Sequence, residues 1–373
     1  MTTLTKLSEL LQDVGYSALQ KSFGQVFSNN NLDEAVAAIS SSAFNSEEAF
    51  MKASEELKKR SFELLSQNAV FDAHQHLDLL WRKGAPNSSA KRFLTITYPM
   101  GSMVGTVFEF TTLKDKQDEQ ELLKACIKRR NFFPIVGVHP RNATSVTGDE
   151  LRALLNFFKE EQQGISGIGE TGVCMKWSSK GVDLQSQAEL LKIHTLIAKV
   201  TGLPLILHLR STRNSRGDAV VLALEVLQEC GLSPMHPINV HAFGDHWQSA
   251  EQFSSAYPNT FFGLGRLVTQ RPQVMETARR LPMSQILPES DAPHMGQSGD
   301  TKGFINEICM AKGIGPLPMT EQLYANFKKC FAKLPVPPGD EDWSEVSEAI
   351  ANWGKRSLTV DIEAASRLIR GNL

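Results

Sequence analysis

From about residue 69 to residue 291 the chain alternates two textures. Short apolar runs are separated by longer segments whose apolar residues recur every three or four positions. The runs are AVFDAH (69–74), GTVFEFTT (105–112), FFPIVGVH (132–139), ISGIGE (165–170), LPLILHL (203–209), PINVHAF (237–243), TFFGLG (260–265) and SQILPESD (284–291). Short runs with a β-branched and aromatic bias predict strands, and the three- and four-residue spacing predicts amphipathic helices. DEQELLKACIKRR, DELRALLNFFKEEQQ, SQAELLKIHTLIAKV and GDAVVLALEVLQECG are such helices. Eight strands alternating with helices predict an α/β fold of the (β/α)8 TIM-barrel kind, with a doubly wound sheet as the alternative. KRFLTITYP (91–99) fits a ninth strand or a loop hairpin.

The ends of the chain differ. LSELLQDVGYSALQKSF and SEEAFMKASEELKKRSFELL have helical spacing, and the first 66 residues hold neither proline nor histidine. LPVPPGDEDW breaks the pattern again before the helical WSEVSEAIANWGKRS and VDIEAASRLIRG. The expected organisation is a helical N-terminal extension (1–66), a barrel (67–334) and a short helical C-terminal tail (335–373).

Composition narrows the class. Net charge is −2 over 373 residues, so no global basic field is present to bind long duplex DNA. The five cysteines are widely spread and form no CxxC pair, which suits a reduced compartment, cytoplasmic or nuclear. The N-terminus lacks a signal-peptide pattern, and nothing approaches a membrane span. Nothing calls for an obligate protein partner.

The chemistry lies at the ends of the runs. His74 and His76 end the first, His139 the third and Glu170 the fourth. His208, His241 and Asp291 end the fifth, sixth and eighth. In a barrel these C-terminal strand ends share one face, where active sites form. Side chains alternate along a strand, so His74 and His76 point the same way, with Asp72 deeper on the same side and Asp78 in the following loop. Any one of these residues alone has an ordinary structural explanation. Together, four imidazoles and two carboxylates suffice for two divalent ions, with Glu170 as a bridge between them. Two such ions lower the pKa of bound water and stabilise the attacking and leaving oxygens together. His194 reads as a mid-helix residue and His236 lies at the opposite strand end. His246 and His294, just past ligand positions, could support the site or meet substrate.

FDAHQHLD, GVHPR (137–141), GIGETG (167–172), LPLILHLR (203–210), VHAFGD (240–245) and ESDAPHM (289–295) resemble, in order and spacing, the motifs of TatD-like metal-dependent deoxyribonucleases. These are amidohydrolase-type barrels. The resemblance covers about residues 70–332, with ANFKKCF similar to the closing helix of the family. It implies that His74, His76 and Asp291 hold one ion, that His208 and His241 hold the second, and that Glu170 bridges. It places His139 near the substrate phosphate, and gives the proton of the attacking water to Asp291 or to a hydroxide between the ions. It also implies magnesium-supported nuclease activity. Four imidazoles favour Zn, Mn, Co or Ni on ligand softness, so Mg or Mn are the expected working ions and Zn a plausible occupant. One departure is GETGVC where the family usually has GEIGLD: Cys174 stands in place of an Asp that orients the site. HLR replaces the commoner HSR, and HAFGD the commoner HCFSG.

The loops after the strands carry basic residues, including Lys176, Arg266 and Arg271. RSTRNSR (210–216) places Arg210, Arg213 and Arg216 together with no acid between them. Arginine forks suit phosphate oxygens, so Arg210, Arg213, Arg216, Arg266 and His139 are the expected substrate contacts. The plainer alternative is a solvated loop paired with Asp218 or Asp245. Trp81, Trp177 and Trp247 could stack on bases or pack under the loops. The function expected is a metal-dependent phosphodiester hydrolase acting on DNA ends or short oligonucleotides, a 3′–5′ exodeoxyribonuclease using a water activated by two metals. The rivals are a related barrel hydrolase of a lactone, amide or phosphotriester, and a non-catalytic metal-binding scaffold.

Overall fold

Eight parallel strands form one sheet in strict sequence order, β1 to β8. They are β1 (Phe71–Gln75), β2 (Met103–Glu109), β3 (Phe132–Gly137), β4 (Gly167–Cys174), β5 (Leu205–Arg210), β6 (Ile238–His241), β7 (Thr260–Leu264) and β8 (Ile286–Pro288). The computed structural model describes residues 58–59, 61–63, 65–67, 69–84, 89–98, 102–161, 164–212, 217–297, 300–331 and 343–355. The sequential order excludes the doubly wound sheet, in which the strand order reverses at a switch point. Almost every strand residue is buried, as a parallel sheet covered by helices requires.

The seam between the first and last strands is closed just beyond β8. The amide of Asp291 donates to the His74 carbonyl (3.0 Å), and the amide of His76 donates to the Ala292 carbonyl (2.8 Å). Three of the four residues that make these closing bonds, His74, His76 and Asp291, are ones read from the sequence as metal ligands. Elsewhere the strands approach tightly. A Cβ added at Gly105 on β2 would lie 2.0 Å from the Ala73 carbonyl oxygen, so that position has room only for hydrogen.

The segment KRFLTITYP is neither a strand nor a hairpin. Ala90–Thr97 is a helix, capped by Ser89, whose hydroxyl accepts from the Arg92 amide. Phe93 and Leu94 are buried while Lys91, Arg92 and Thr95 face solvent, and Trp81 stacks on Phe93. The cap and this apolar side outweigh the strand preference of its threonines and isoleucine. Asp78 likewise belongs to an element rather than a loop, in the first turn of the helix Leu77–Gly84, where a carboxylate complements the exposed amides.

Under the barrel, Phe327 packs edge-on against Phe71, and Phe331 stacks on Phe133. Phe327 belongs to the helix Pro316–Cys330, which contains ANFKKC. Asn326 on this helix donates to the carbonyls of Met283 and Ile286, both at 2.7 Å, and so ties it to the start of β8. Of the N-terminal extension, residues 1–57 lie outside the described residues. The helical residues at 58–67 reach the same helix through Lys58–Glu321 and through Phe62 on Tyr324. Of the tail, the helix Ser344–Ala351 is described. It docks through buried Trp343, Val346 and Ile350, through Lys199–Glu345 (2.9 Å), and through the Trp353 indole N–H donating to Val146 O. Among the described residues no helix is long and apolar enough to cross a membrane.

Candidate metal centre

Six of the strand-end residues converge around a seventh, Glu170, which is 4% exposed. Its two carboxylate oxygens face different neighbours. Oε2 lies 3.4 Å from His74 Nε2 and 4.0 Å from His76 Nε2. Oε1 lies 2.5 Å from His208 Nδ1 and 3.6 Å from both His139 Nε2 and His241 Nε2. Asp291 completes the first side, with Oδ1 3.5 Å from His76 Nε2, and Oδ2 reaches within 4.0 Å of His241 Nε2. Three ligand groups follow: His74, His76 and Asp291; His139, Glu170 and His208; and His74, His241 and Glu289.

The electrostatics match this crowding. Burial alone would raise the Glu170 carboxyl, but the charges of His139, His241 and His208 outweigh it and hold it well below the usual carboxylate range. Asp291 is also pushed up by burial, yet the hydrogen bond with His76 and the nearby His241 and His74 bring it down to about 2. His74, His139 and His241 are lowered chiefly by burial, which disfavours imidazolium, whereas the contacts with Asp291 and Glu170 outweigh burial and raise His76, and the charge of Glu170 raises His208 to about 9. Three rings and the two carboxylates are thus held in the protonation states that bind a divalent cation, and His76 and His208 would release a proton on binding one. Both ring nitrogens of His74 and Nε2 of His208 are buried without a hydrogen-bond partner. For His74 Nε2, which faces Glu170, a cation is the natural occupant, so the residues present fit divalent ions.

Backbone shape serves the same geometry. Ala242, just after His241, and Asp291 adopt φ of 46° and 49°. For residues other than glycine this left-handed region costs on the order of 1 kcal/mol or more, and it recurs at functional sites. Here it turns the chain sharply at the ends of β6 and β8.

Two carboxylates escaped the sequence reading. Glu289 is fully buried, lies 3.0 Å from His241 Nδ1 and accepts the Ala242 amide at 2.6 Å. It lies on the Nδ1 side of the ring, while Nε2 faces Glu170. Gly263 makes room for it, since a Cβ there would lie 2.0 Å from Glu289 Oε2. The signal available was parity, because Glu289 precedes Asp291 by two. Glu109, a lone acid in the run VFEF, accepts the His139 amide at 3.1 Å. Asp72 supports the seam, as its depth on the strand suggested: its Oδ1 accepts from the amides of His74 and Ser290.

The remaining histidines separate by environment. His194, buried on the helix Leu184–Thr201, accepts the Val138 amide at Nε2 (3.0 Å), and its Nδ1 lies 2.8 Å from the Leu190 carbonyl. It holds the backbone next to His139. His236 bonds the Leu203 carbonyl, away from the site. His294 packs edge-on against His76.

Beside the centre a cavity of about 950 Å³ opens over the ends of β4 to β8, lined by Lys176, Arg210, Asp245, His246, Arg271 and Met295 among others. Arg210 lines it, and Arg266 borders a smaller recess with Asp291. Arg213 and Arg216 lie outside the described residues. Trp81 is buried against Phe93, away from any base-stacking position. Trp177 and Trp247 pack partly against the core, with Lys180 and Arg280 over their rings.

Residues 71–332 match the model of the family described as TatD related DNase. The chain belongs to this family. A TatD relative from Mycobacterium tuberculosis, an uncharacterized metal-dependent hydrolase, is 27% identical over 231 residues, covering 61% of this chain and 80% of that protein. The human deoxyribonuclease TATDN3 is 25% identical over 61% of this chain and 85% of its own length. The human 3′-5′ RNA nuclease TATDN2 is 23% identical, over 65% of this chain and 31% of its own. A TatD-family hydrolase from Entamoeba histolytica superposes with a TM-score of 0.57 at 15% identity, covering 72% of this chain and all of that one. The fold is therefore the TatD barrel, and the chain is a metal-dependent hydrolase of the TatD family.

Two outcomes follow from this geometry. Glu289→Ala should weaken divalent-ion binding by about 10–100-fold in calorimetric titration, the usual cost of losing a carboxylate behind a ligating histidine. Unchanged affinity would exclude that role. His194 is held neutral by burial, down to about 4 from its ordinary 6.5, so the unfolded chain takes up its proton first. Its stabilisation is complete above pH 6.5 and is lost as pH falls toward 4, a term on the order of 3 kcal/mol. His194→Gln should lower stability at pH 7 and flatten its decline between pH 6.5 and 4 in urea denaturation. An unaltered slope would contradict this.

Proposed function

We propose that this chain is a two-metal phosphodiester hydrolase that trims DNA as a 3′–5′ exodeoxyribonuclease. The observation that carries the reading is Glu170, whose two oxygens each face a separate set of imidazoles, as a carboxylate bridging two ions would. The names of the human relatives, a deoxyribonuclease and a 3′-5′ RNA nuclease, support phosphodiester substrates.

In this reading His74, His76 and Asp291 would hold one ion and His208 and His241 the other, with Glu170 shared, and Mg or Mn would be the working ions with Zn as a further occupant. Bound there, divalent ions would supply positive charge for the reacting phosphate and make water more acidic. The chain supplies the rest. Asp291, ionised down to about pH 2, is available to accept the proton of the attacking water. His139 turns Nε2 toward the centre because its Nδ1 accepts the Arg141 amide. Its backbone N–H is held by Glu109, leaving the ring edge to meet a phosphate oxygen. Lys176, Arg210 and Arg271 line the adjoining cavity and would hold the strand by its phosphates. Arg266, Arg213 and Arg216 belong to the same proposed contact set, and the three-part division at residues 66 and 334 to the same proposed organisation.

The test is a panel of end-labelled single-stranded DNA, duplex DNA and RNA, each incubated with Mg, Mn or Zn. The His74→Ala/His76→Ala double variant should lose all divalent-dependent digestion. Digestion of single-stranded DNA at the wild-type rate would refute the assignment, and fewer than one bound or activating divalent ion per chain would favour a scaffold. Arg210→Ala should raise KM for oligonucleotides and reduce the slope of log affinity against log salt by about 1. A hydrolase of an uncharged lactone or amide would show no change in salt slope.

A further inference from the structure

The cavity beside the metal centre is cationic with one exception. Lys176, Arg210 and Arg271 line it, and so does the carboxylate of Asp245. In a channel that served only to hold phosphates this charge would be out of place, because a carboxylate accepts hydrogen bonds and repels phosphate oxygens. Asp245 is nonetheless firmly placed. Among the described residues its one hydrogen bond comes from the Ser211 hydroxyl, which donates to Oδ2 at 2.7 Å. Ser211 follows Arg210 directly. The carbonyl of Gly244, the residue before Asp245, accepts from Arg271 Nη1 at 3.4 Å. The carboxylate thus sits on the same wall as the two arginines.

The other lining residues divide the cavity. Met175, Leu209, Leu267 and Met295 give an apolar surface suited to the face of a base. The volume of about 950 Å³ lies within the range that encloses a drug-sized ligand, so it suits a nucleotide unit better than a long strand. It begins at Ala242, next to His241, so a phosphate at the metal centre would place the adjoining nucleotide in it. With the base against the apolar side, the polar wall meets the sugar. A sugar hydroxyl can donate to a carboxylate, whereas an ionised phosphate monoester offers only repulsion.

We propose that Asp245 determines end specificity: it accepts the free 3′-hydroxyl of the terminal sugar and excludes a 3′-phosphate. This rests on the phosphodiesterase reading, but a binding measurement tests it without turnover. The probes are thymidine 5′-monophosphate, thymidine 3′,5′-bisphosphate, 3′-deoxythymidine 5′-monophosphate and 2′-deoxycytidine 5′-monophosphate. They are titrated calorimetrically into the full chain loaded with Mn, for wild type, Asp245→Ala and Asp245→Asn. Wild type should bind thymidine 5′-monophosphate about tenfold or more tightly than both the bisphosphate and the 3′-deoxy compound, the scale of one hydrogen bond to a charged group. Asp245→Ala should lose both preferences. Asp245→Asn, which keeps an acceptor and the shape of the residue, should keep the hydroxyl preference and admit the bisphosphate. Thymidine and cytidine monophosphates should bind alike, since the hydroxyl rather than a base amino group is read. The proposal is overturned if wild type binds the bisphosphate as well as the monophosphate, or binds none of the probes. It is also overturned if the preference follows the cytosine amino group or survives in both variants. Absence of hydrolysis by wild type, with the binding ratios as stated, would instead count against the nuclease reading and leave this assignment standing.

Discussion

One carboxylate sets the terms for the rest of this molecule. Glu170, itself buried, has ring nitrogens of five histidines within 4.0 Å. Five protonated imidazoles could not share that volume, and an ionised pair of acids among neutral rings leaves negative charge out of water. Either arrangement alone is costly by several kcal/mol, which is why buried charges are paired or bind metal. Divalent cations resolve both problems at once. A cation bound here would stabilise the site, which gives its unusual concentration of titratable groups a physical reason.

Such a site needs rigid walls, and the chain supplies them by different means on different sides. His241 is backed by Glu289, which in turn needs the bare backbone of Gly263 to fit. His139 is fixed through its backbone, by Glu109 and by the neighbouring contact from His194. His74 and Asp291 are fixed to each other by the seam. His208 differs: Nδ1 faces Glu170, and the buried thiol of Cys174 neighbours it where the family usually has an acid. The two histidines expected on the second ion are therefore backed by unlike chemistries.

Much of this was legible in sequence, because the barrel rule turns a one-dimensional pattern into a spatial one. A polar residue closing an apolar run becomes a residue on the active face, so His74, His76, His139, Glu170, His208, His241 and Asp291 could be gathered without coordinates. What escaped did so for identifiable reasons. Glu289 acts on His241 across two strands, and nothing local in ESD says which of its acids is a ligand and which a support. Glu109 acts through a backbone amide, which no side-chain pattern records. The helix Ala90–Thr97 was hidden by residues of strand preference and is set by one serine cap and a two-residue apolar contact. Trp81 fits base stacking and packing equally by sequence, and the helical placement of Phe93 decides for packing.

The seam has a consequence for how the protein comes into being. Its two closing hydrogen bonds join residues more than two hundred positions apart, and so do the contacts of Asp291 with His76. Chain closure over such a separation is entropically slow, and long-range contacts of this kind form late. A nascent chain carries His74 and His76 long before Asp291 has been synthesised. The candidate ligand group His74, His76 and Asp291 is therefore complete only after the last strand has locked against the first. Metal uptake at that corner would in this sense report on completed folding, and a chain interrupted before β8 would hold most of the candidate ligands and none of the site.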